Sequence, residues 1–460
     1  MNKLFEQVIN NIPDYKEFLT VDEMDNSSKR LAEKYPDVVS IFEMGRTRDN
    51  HPLYCLKIGN GSSNALMFGC PHPNEPIGAM MLEYFTEELA SNKELREELD
   101  YTWYIIKSWD ADGTKLNEKW FKGPYTLYNY SRNFFRPAGH QQVDWTYPID
   151  YKKLSFHDTI PETKAMMNLI DEIEPKFIYS LHNAGFGGVY WYISKEVPEI
   201  YDEMRKAANK QNIPLNLGEP EAPYCVELSP AIYQDLGIQQ SYDYLDKYGI
   251  ENPQDEIRTG TCTADYAKKY NSFTLLTELP YFYDKRINDS SPGTMTRKEA
   301  VIKSLEFDDE HSKFIVETLN SIKDYIDKDN PFRLALEAFT NNKNTNEATL
   351  KMIENNPDFE RIATVAEEFD NLLVTRFYKM LSYGLLVRAV ESAINKGENL
   401  EDEAKTKLES TFNLVESRLK DLSEYLETEM DYEVVPIKKL IAIQLECGLL
   451  VSQHLNQKGA

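Results

Sequence analysis

Between Gly69 and Met81 the chain reads GCPHPNEPIGAMM, and the apolar run Ala65-Leu66-Met67-Phe68 leads directly into it. That run is short and bounded by glycine and proline. It is followed from Ile77 by IGAMMLEYFTEELAS, with apolar residues at helical spacing. A buried strand, a proline-rich turn and a helix are the parts of an α/β unit, in which helices cover a largely parallel sheet. The turn also places a histidine at position 72 and a glutamate three residues later, at 75. One turn of chain can aim both side chains the same way, so the stretch bears on chemistry as well as fold.

The texture recurs on both sides. VVSIFEMG and LYCLKIG read as strands joined by the loop RTRDNHP, and YTWYIIKSW, KFIYSLHN, GVYWYIS and SFTLLTEL read as further buried strands. TKAMMNLIDEIEP and VPEIYDEMRKAANKQ carry helical periodicity between them. The expected fold is therefore α/β, a mixed central sheet flanked by helices over residues 36–294, after a helical segment at 1–35. From Thr296 onward apolar residues fall at helical spacing almost throughout. Residues 295–460 are expected to form a second, all-α domain beginning at Ser290-Ser291-Pro292-Gly293-Thr294, where strands cease. A length of 460 residues suits two cores better than one.

Bulk properties exclude several classes. A net charge of −25 repels phosphate backbones, so neither nucleic acid nor an anionic membrane is an expected partner. Five cysteines, none at C-x-x-C spacing, form neither a disulfide framework nor a structural zinc module and point to a reducing compartment. With no secretory signal and no long apolar run, a cytoplasmic location is expected. GNGSSNA at Gly59 to Ala65 lacks the third glycine and the following helix of a dinucleotide loop, and no G-x-S-x-G occurs.

The ionisable residues fall where strands end. Asp110 and Asp112 follow YTWYIIKSW, His182 and Asn183 follow KFIYSL, and Glu278 closes SFTLLT. Functional groups of open α/β sheets gather at these carboxyl ends. A catalytic zinc site uses three His, Glu or Asp ligands and leaves a position for water. His72 and Glu75 supply a close pair and His182 a distant third. Glu278 is a carboxylate in an apolar setting, suited to act as a base.

The ordered set His72-Pro73-Asn74-Glu75, Ser131-Arg132-Asn133-Phe134, His182-Asn183 and Glu278-Leu279 resembles the zinc carboxypeptidases of the carboxypeptidase A type, family M14. FEMGRTRDNHPLYCLKIG and Asp110-Ala111-Asp112-Gly113-Thr114 are similar to that family's paired strands and turn, and the likeness covers about residues 35–290. The resemblance implies one Zn2+ per chain on His72, Glu75 and His182. It implies hydrolysis of the C-terminal amide bond of a peptide by a zinc-activated water, with Glu278 as general base. Arg132 would bind the free carboxylate of the substrate, since a guanidinium holds it bidentately.

Other positions depart from the family pattern. Ser131 stands where the family has asparagine as a second carboxylate donor. Lys119 and Lys122 are the available cations where the family has a carbonyl-polarising arginine. Tyr242, Tyr244, Tyr248 and Tyr266 compete as the tyrosine that covers the substrate. Asp265, in RTGTCTADYAKKY, either favours a basic or amino-bearing terminal side chain or caps a helix. Two alternatives accompany the peptidase reading: a zinc amidase or deacylase acting on amino-acid amides or cell-wall peptide fragments, and a non-catalytic zinc-bearing scaffold. The helical domain would rim the cleft, restrict substrates or mediate a homo-oligomer.

Overall fold

The computed structural model describes residues 2–340, 343–396 and 401–458. Its centre is a nine-stranded mixed sheet of β1 (Val39–Arg46), β2 (Pro52–Ile58), β3 (Ser63–Phe68), β4 (Tyr101–Ile106), β5 (Phe177–Leu181), β6 (Tyr190–Ile193), β7 (Glu227–Ser229), β8 (Ile232–Gln234) and β9 (Phe273–Glu278). The spatial order is β1-β2-β4-β3-β5-β9-β6-β8-β7. The inner strands β4, β3, β5 and β9 run parallel, and β6 returns antiparallel to β9 with Tyr190 opposite Glu278.

The inner strands are apolar on both faces because both faces are covered. Along β3, Ala65 and Met67 enter one core while Leu66 and Phe68 enter another, the alternation that a two-residue period dictates. Helix α1 (Lys3–Asn10), helix α2 (Val21–Lys34) and helix α3 (Ile77–Ser91) contribute to the first core. Helix α4 (Pro161–Ile173) covers the second with Met166, Leu169 and Ile170. All seven strands read from the sequence are present, as is the helix from Ile77.

The C-terminal region holds four long helices: α5 (Arg297–Ile322), α6 (Thr375–Lys396), α7 (Asp402–Glu429) and α8 (Ile437–Lys458). Strands do not cease at residue 294, however. Ile362–Thr364 pairs with Pro292–Thr296, and Glu433–Val434 pairs with Phe282–Tyr283, so the expected boundary lies inside a strand. Nor does the core divide there, because one continuous apolar cluster runs from Phe5 to Val451. Helix α8 closes back onto the sheet, with the Tyr179 hydroxyl donating to the Gln444 carbonyl at 2.8 Å. Among the described residues no helix is long and apolar enough to cross a membrane.

Candidate active site

His72 and Glu75 lie in the turn between β3 and α3, where the Glu75 N–H donates to the His72 carbonyl at 3.1 Å. The turn starts with Gly69 because a Cβ there would lie 2.6 Å from the Ala79 nitrogen and 2.7 Å from the Lys107 carbonyl. His182 follows β5 and Glu278 ends β9. Those strands are parallel neighbours with Leu181 opposite Thr277, so register alone sets the two side chains next to each other. β3 is the neighbour of β5 on its other side, which delivers the His72 turn to the same edge.

The ligand atoms of His72, Glu75 and His182 lie within 4.8 Å of one another, and no other such trio of His, Cys, Asp or Glu occurs among the described residues. His182 Nδ1 is 3.0 Å from Glu75 Oε2 and 3.7 Å from Glu278 Oε1. All four residues are at most 6% exposed. Ser180 Oγ engages His182 Nε2 at 2.7 Å and so orients the ring, leaving Nδ1 without a hydrogen-bond partner. His72 Nδ1 is likewise unpartnered. Burial, with the charges of Arg136 and His182, pushes the His72 imidazole well below its ordinary range and keeps it neutral. Two imidazole nitrogens and a carboxyl oxygen, buried and convergent, fit a zinc ion.

Glu75 is steadied by Asn183 N–H at 3.3 Å on Oε2 and by Arg136 Nη1 at 3.3 Å on Oε1. Burial, then the charges of Glu75 and Glu221, push the Glu278 carboxyl well above the usual carboxylate range. Its Oε2 has no hydrogen-bond partner, and the residue lines a cavity of about 670 Å³. Asp370, Thr375 and Tyr378, from the C-terminal region, form one wall of this cavity.

A zinc carboxypeptidase profile (peptidase family M14) matches residues 24–280, more than half of the chain. The chain belongs to the zinc carboxypeptidase family. Human mast cell carboxypeptidase A is 28% identical over 275 residues, covering 51% of this chain and 65% of that protein. The chain thus spans just under two thirds of that relative. Human carboxypeptidase O is 25% identical over 319 residues, 58% of this chain and 80% of the relative. Among solved structures, carboxypeptidase A from Helicoverpa armigera aligns over 61% of this chain and 71% of its own, at 14% identity and a TM-score of 0.36.

Within this member of the zinc carboxypeptidase family, the other expected site residues lie elsewhere. Arg132 faces away from the cavity, its guanidinium held by Glu416 at 3.1 Å and Glu391 at 3.2 Å. Ser131 is fully buried beneath Gly384 of α6 and does not line the cavity. Leu127–Asn133 is helical and packs these side chains against α6 and α7. Lys122 lies on the outside, bridging Glu17 and Glu23. Asp265 accepts from Thr261 Oγ1 and pairs with Lys268 at 2.5 Å, outside the cavity lining.

The tyrosines that line the cavity are Tyr130, Tyr190, Tyr192, Tyr224 and Tyr378, none of the four expected. Asp110 caps the helix from Ala111 by accepting from Gly113 N–H, and Asp112 accepts from Thr47. Sequence reasoning missed Arg136. The signal was there in Phe134-Phe135-Arg136-Pro137, an extended segment just past the helix, where an arginine is free to point inward.

Proposed function

We propose that this chain is a zinc metallocarboxypeptidase that hydrolyses the C-terminal amide bond of a peptide. The observation that supports this most is the placing of Glu278 beside His182, in the same buried cluster as His72 and Glu75, with its second oxygen unpartnered and the residue lining the cavity. Zinc held by His72, Glu75 and His182 would supply Lewis-acid activation of water and of the scissile carbonyl at neutral pH.

Glu278 Oε2 takes the proton of the attacking water and returns it to the leaving nitrogen. Arg136 is the only lysine or arginine among the described residues that line the cavity, and it assumes the carboxylate-binding role in place of Arg132, which is held outside the lining by Glu391 and Glu416. The walls contributed by Tyr190 and Tyr378 keep bulk water from the reacting bond. A cytoplasmic setting is supported by the five cysteines, all free and four of them buried.

The test is to incubate the zinc-loaded protein with peptides bearing free or amidated C-termini and to follow products by mass spectrometry, with and without a chelator. Chelator-sensitive loss of single residues from the free-carboxylate peptides alone is the expected result. Cleavage of the amidated set instead would establish the amidase reading.

A further inference from the structure

The cavity beside the metal cluster has a wall that the family-matched residues do not supply. The zinc carboxypeptidase profile ends at residue 280, yet Asp370, Asn371, Val374, Thr375, Tyr378 and Leu381 all line the cavity. They belong to α6 and to the wide π-helical turn Asp370–Val374 that leads into it. Such turns are rare and recur at functional sites.

Helix α6 and its leading turn are fastened to three other parts of the lining. At the N-terminal end, Glu219 N–H donates to Asp370 Oδ2 at 2.8 Å, and Asn371 Nδ2 donates to Glu219 Oε1 at 3.2 Å. Further on, the Tyr378 hydroxyl donates to the Phe186 carbonyl at 3.0 Å, in the loop that follows His182. Further still, Arg388 Nη1 donates to the carbonyls of Asn133 and Phe134 at 2.8 and 2.9 Å. Glu219, Phe186 and Phe134 themselves line the cavity. From Asp370 to Arg388 a helix advances ~27 Å, so α6 runs along the cavity and does not merely touch one edge.

The Glu219 side is clamped a second time. Arg297, the first residue of α5 and also beyond the matched region, grips Glu219 with Nε at 2.9 Å and Nη2 at 2.5 Å. Its Nη1 reaches Asp358 at 2.5 Å. A bidentate, charge-assisted pair of this kind is among the stronger polar contacts a protein makes. The segment of Glu219, Pro220, Glu221 and Ala222, all in the lining, is thus tied to the C-terminal region through backbone and side chain alike.

These walls leave a chamber of about 670 Å³, a size that encloses one small ligand. An extended chain adds ~3.5 Å per residue, so a peptide of about two to four residues fills the chamber. A longer chain has to run past α6 or the Glu219 segment.

We propose that α6 and the Glu219 segment, clamped by Arg297, restrict this chain to short peptides with at most about three residues upstream of the scissile bond, and exclude the C-termini of folded proteins. This rests on the carboxypeptidase reading and names its substrate class. Restriction by a wall is discrimination by steric exclusion, so it acts on length whatever the side chains are.

The experiment uses the zinc-loaded full chain and N-acetylated peptides of two, three, six and ten residues that share one C-terminal pair, the pair cleaved fastest in the free-carboxylate set. kcat/KM for the ten-residue peptide should lie at least 100-fold below that for the three-residue one. Arg297 is outside the lining, so Arg297→Ala should keep the three-residue value within threefold and raise the long-to-short ratio at least tenfold. Asn371→Ala, which removes another bond to Glu219, replaces it if Arg297→Ala does not melt cooperatively. Equal kcat/KM at all lengths in the parent, or an unchanged ratio in a folded variant, overturns the proposal. If no peptide is cleaved in a chelator-sensitive way, the carboxypeptidase reading fails separately. Calorimetric titration with acetyl-alanine hydroxamate and with an eight-residue peptide hydroxamate, whose head groups bind metal without turnover, then decides the restriction. Binding of the short hydroxamate at least tenfold tighter, with the gap narrowed in the variant, supports it. Equal binding, or none, refutes it.

Discussion

Glutamine at position 278 keeps the shape of the side chain and removes its basicity. Glu278 lines the cavity with its Oε2 unpartnered, and the residue stands 3.7 Å from His182, so Glu278→Gln should lower kcat by roughly 10²–10⁴-fold. Zinc measured by elemental analysis should stay at one equivalent, because Glu278 is not one of the three clustered ligands. The two arginines separate by a similar comparison. Arg136→Ala should raise KM for free-carboxylate peptides tenfold or more, since Arg136 lines the cavity, and should weaken zinc binding, since it also holds Glu75. Arg132→Ala should leave KM unchanged and lower stability. It removes an ion-pair partner of Glu416 and Glu391, costing about 1–3 kcal/mol in urea titrations. The metal trio and Glu278 were legible in the sequence because each ends an apolar strand, and strand register then fixes where the side chain goes. Arg132 was not, because its direction depends on the helical phase of Leu127–Asn133, and that phase is set by contact with α6 and α7, far along the chain.

Among elements, α6 packs tightly on the Leu127–Asn133 helix at Gly384. A Cβ on Gly384 would lie 1.8 Å from the Ser131 carbonyl oxygen, so Gly384→Ala forces the helices apart. The expected loss is ~1–3 kcal/mol, read from urea midpoints. The packing of α5 on α6 is pH-sensitive through His311, whose Nε2 meets Ser382 Oγ at 2.8 Å. Burial, then the charge of Lys379, lowers the folded-state pKa to about 4, below the ~6.5 of an unfolded histidine. Above the unfolded value both states are neutral and the contribution is complete. As pH falls from there toward the folded value, the unfolded chain binds a proton that the folded chain refuses, and stability drops by up to ~1.4 kcal/mol per unit. His311→Gln should therefore lose about 1.5 kcal/mol less than the parent between roughly pH 6.5 and 5, measured by urea titration at both values. The helices were legible from their 3.6-residue period. The strands Ile362–Thr364 and Glu433–Val434 are too short to show a period and exist because distant strands offer them an edge.

For the whole molecule, the question is whether the helical region is an appendage or part of the catalytic fold, and α8 decides it. The sequence suggested two cores because secondary structure changes near residue 295, but composition does not report which surface a helix covers. Helix α8 covers the sheet at its functional end: Gly448 leaves room for Tyr179, where a Cβ would stand 2.8 Å from the ring. The Gln444 side chain donates to the carbonyl of His182 itself, at 3.2 Å. Deleting residues 431–460 would expose Tyr179 and Met67 from the main core and strip that support from the metal cluster. The deleted chain should lose its near-ultraviolet circular dichroism and cooperative melting, and its zinc content should fall well below one equivalent. Gln444→Ala is the finer version of the experiment. It leaves the His182 carbonyl unpaired in a buried setting, so stability should fall by ~1–3 kcal/mol while the fold persists, and zinc affinity should weaken because the ligand's backbone has lost a fixed support. A deleted chain that melts cooperatively and still holds one zinc would show that residues 1–430 carry a complete core without α8.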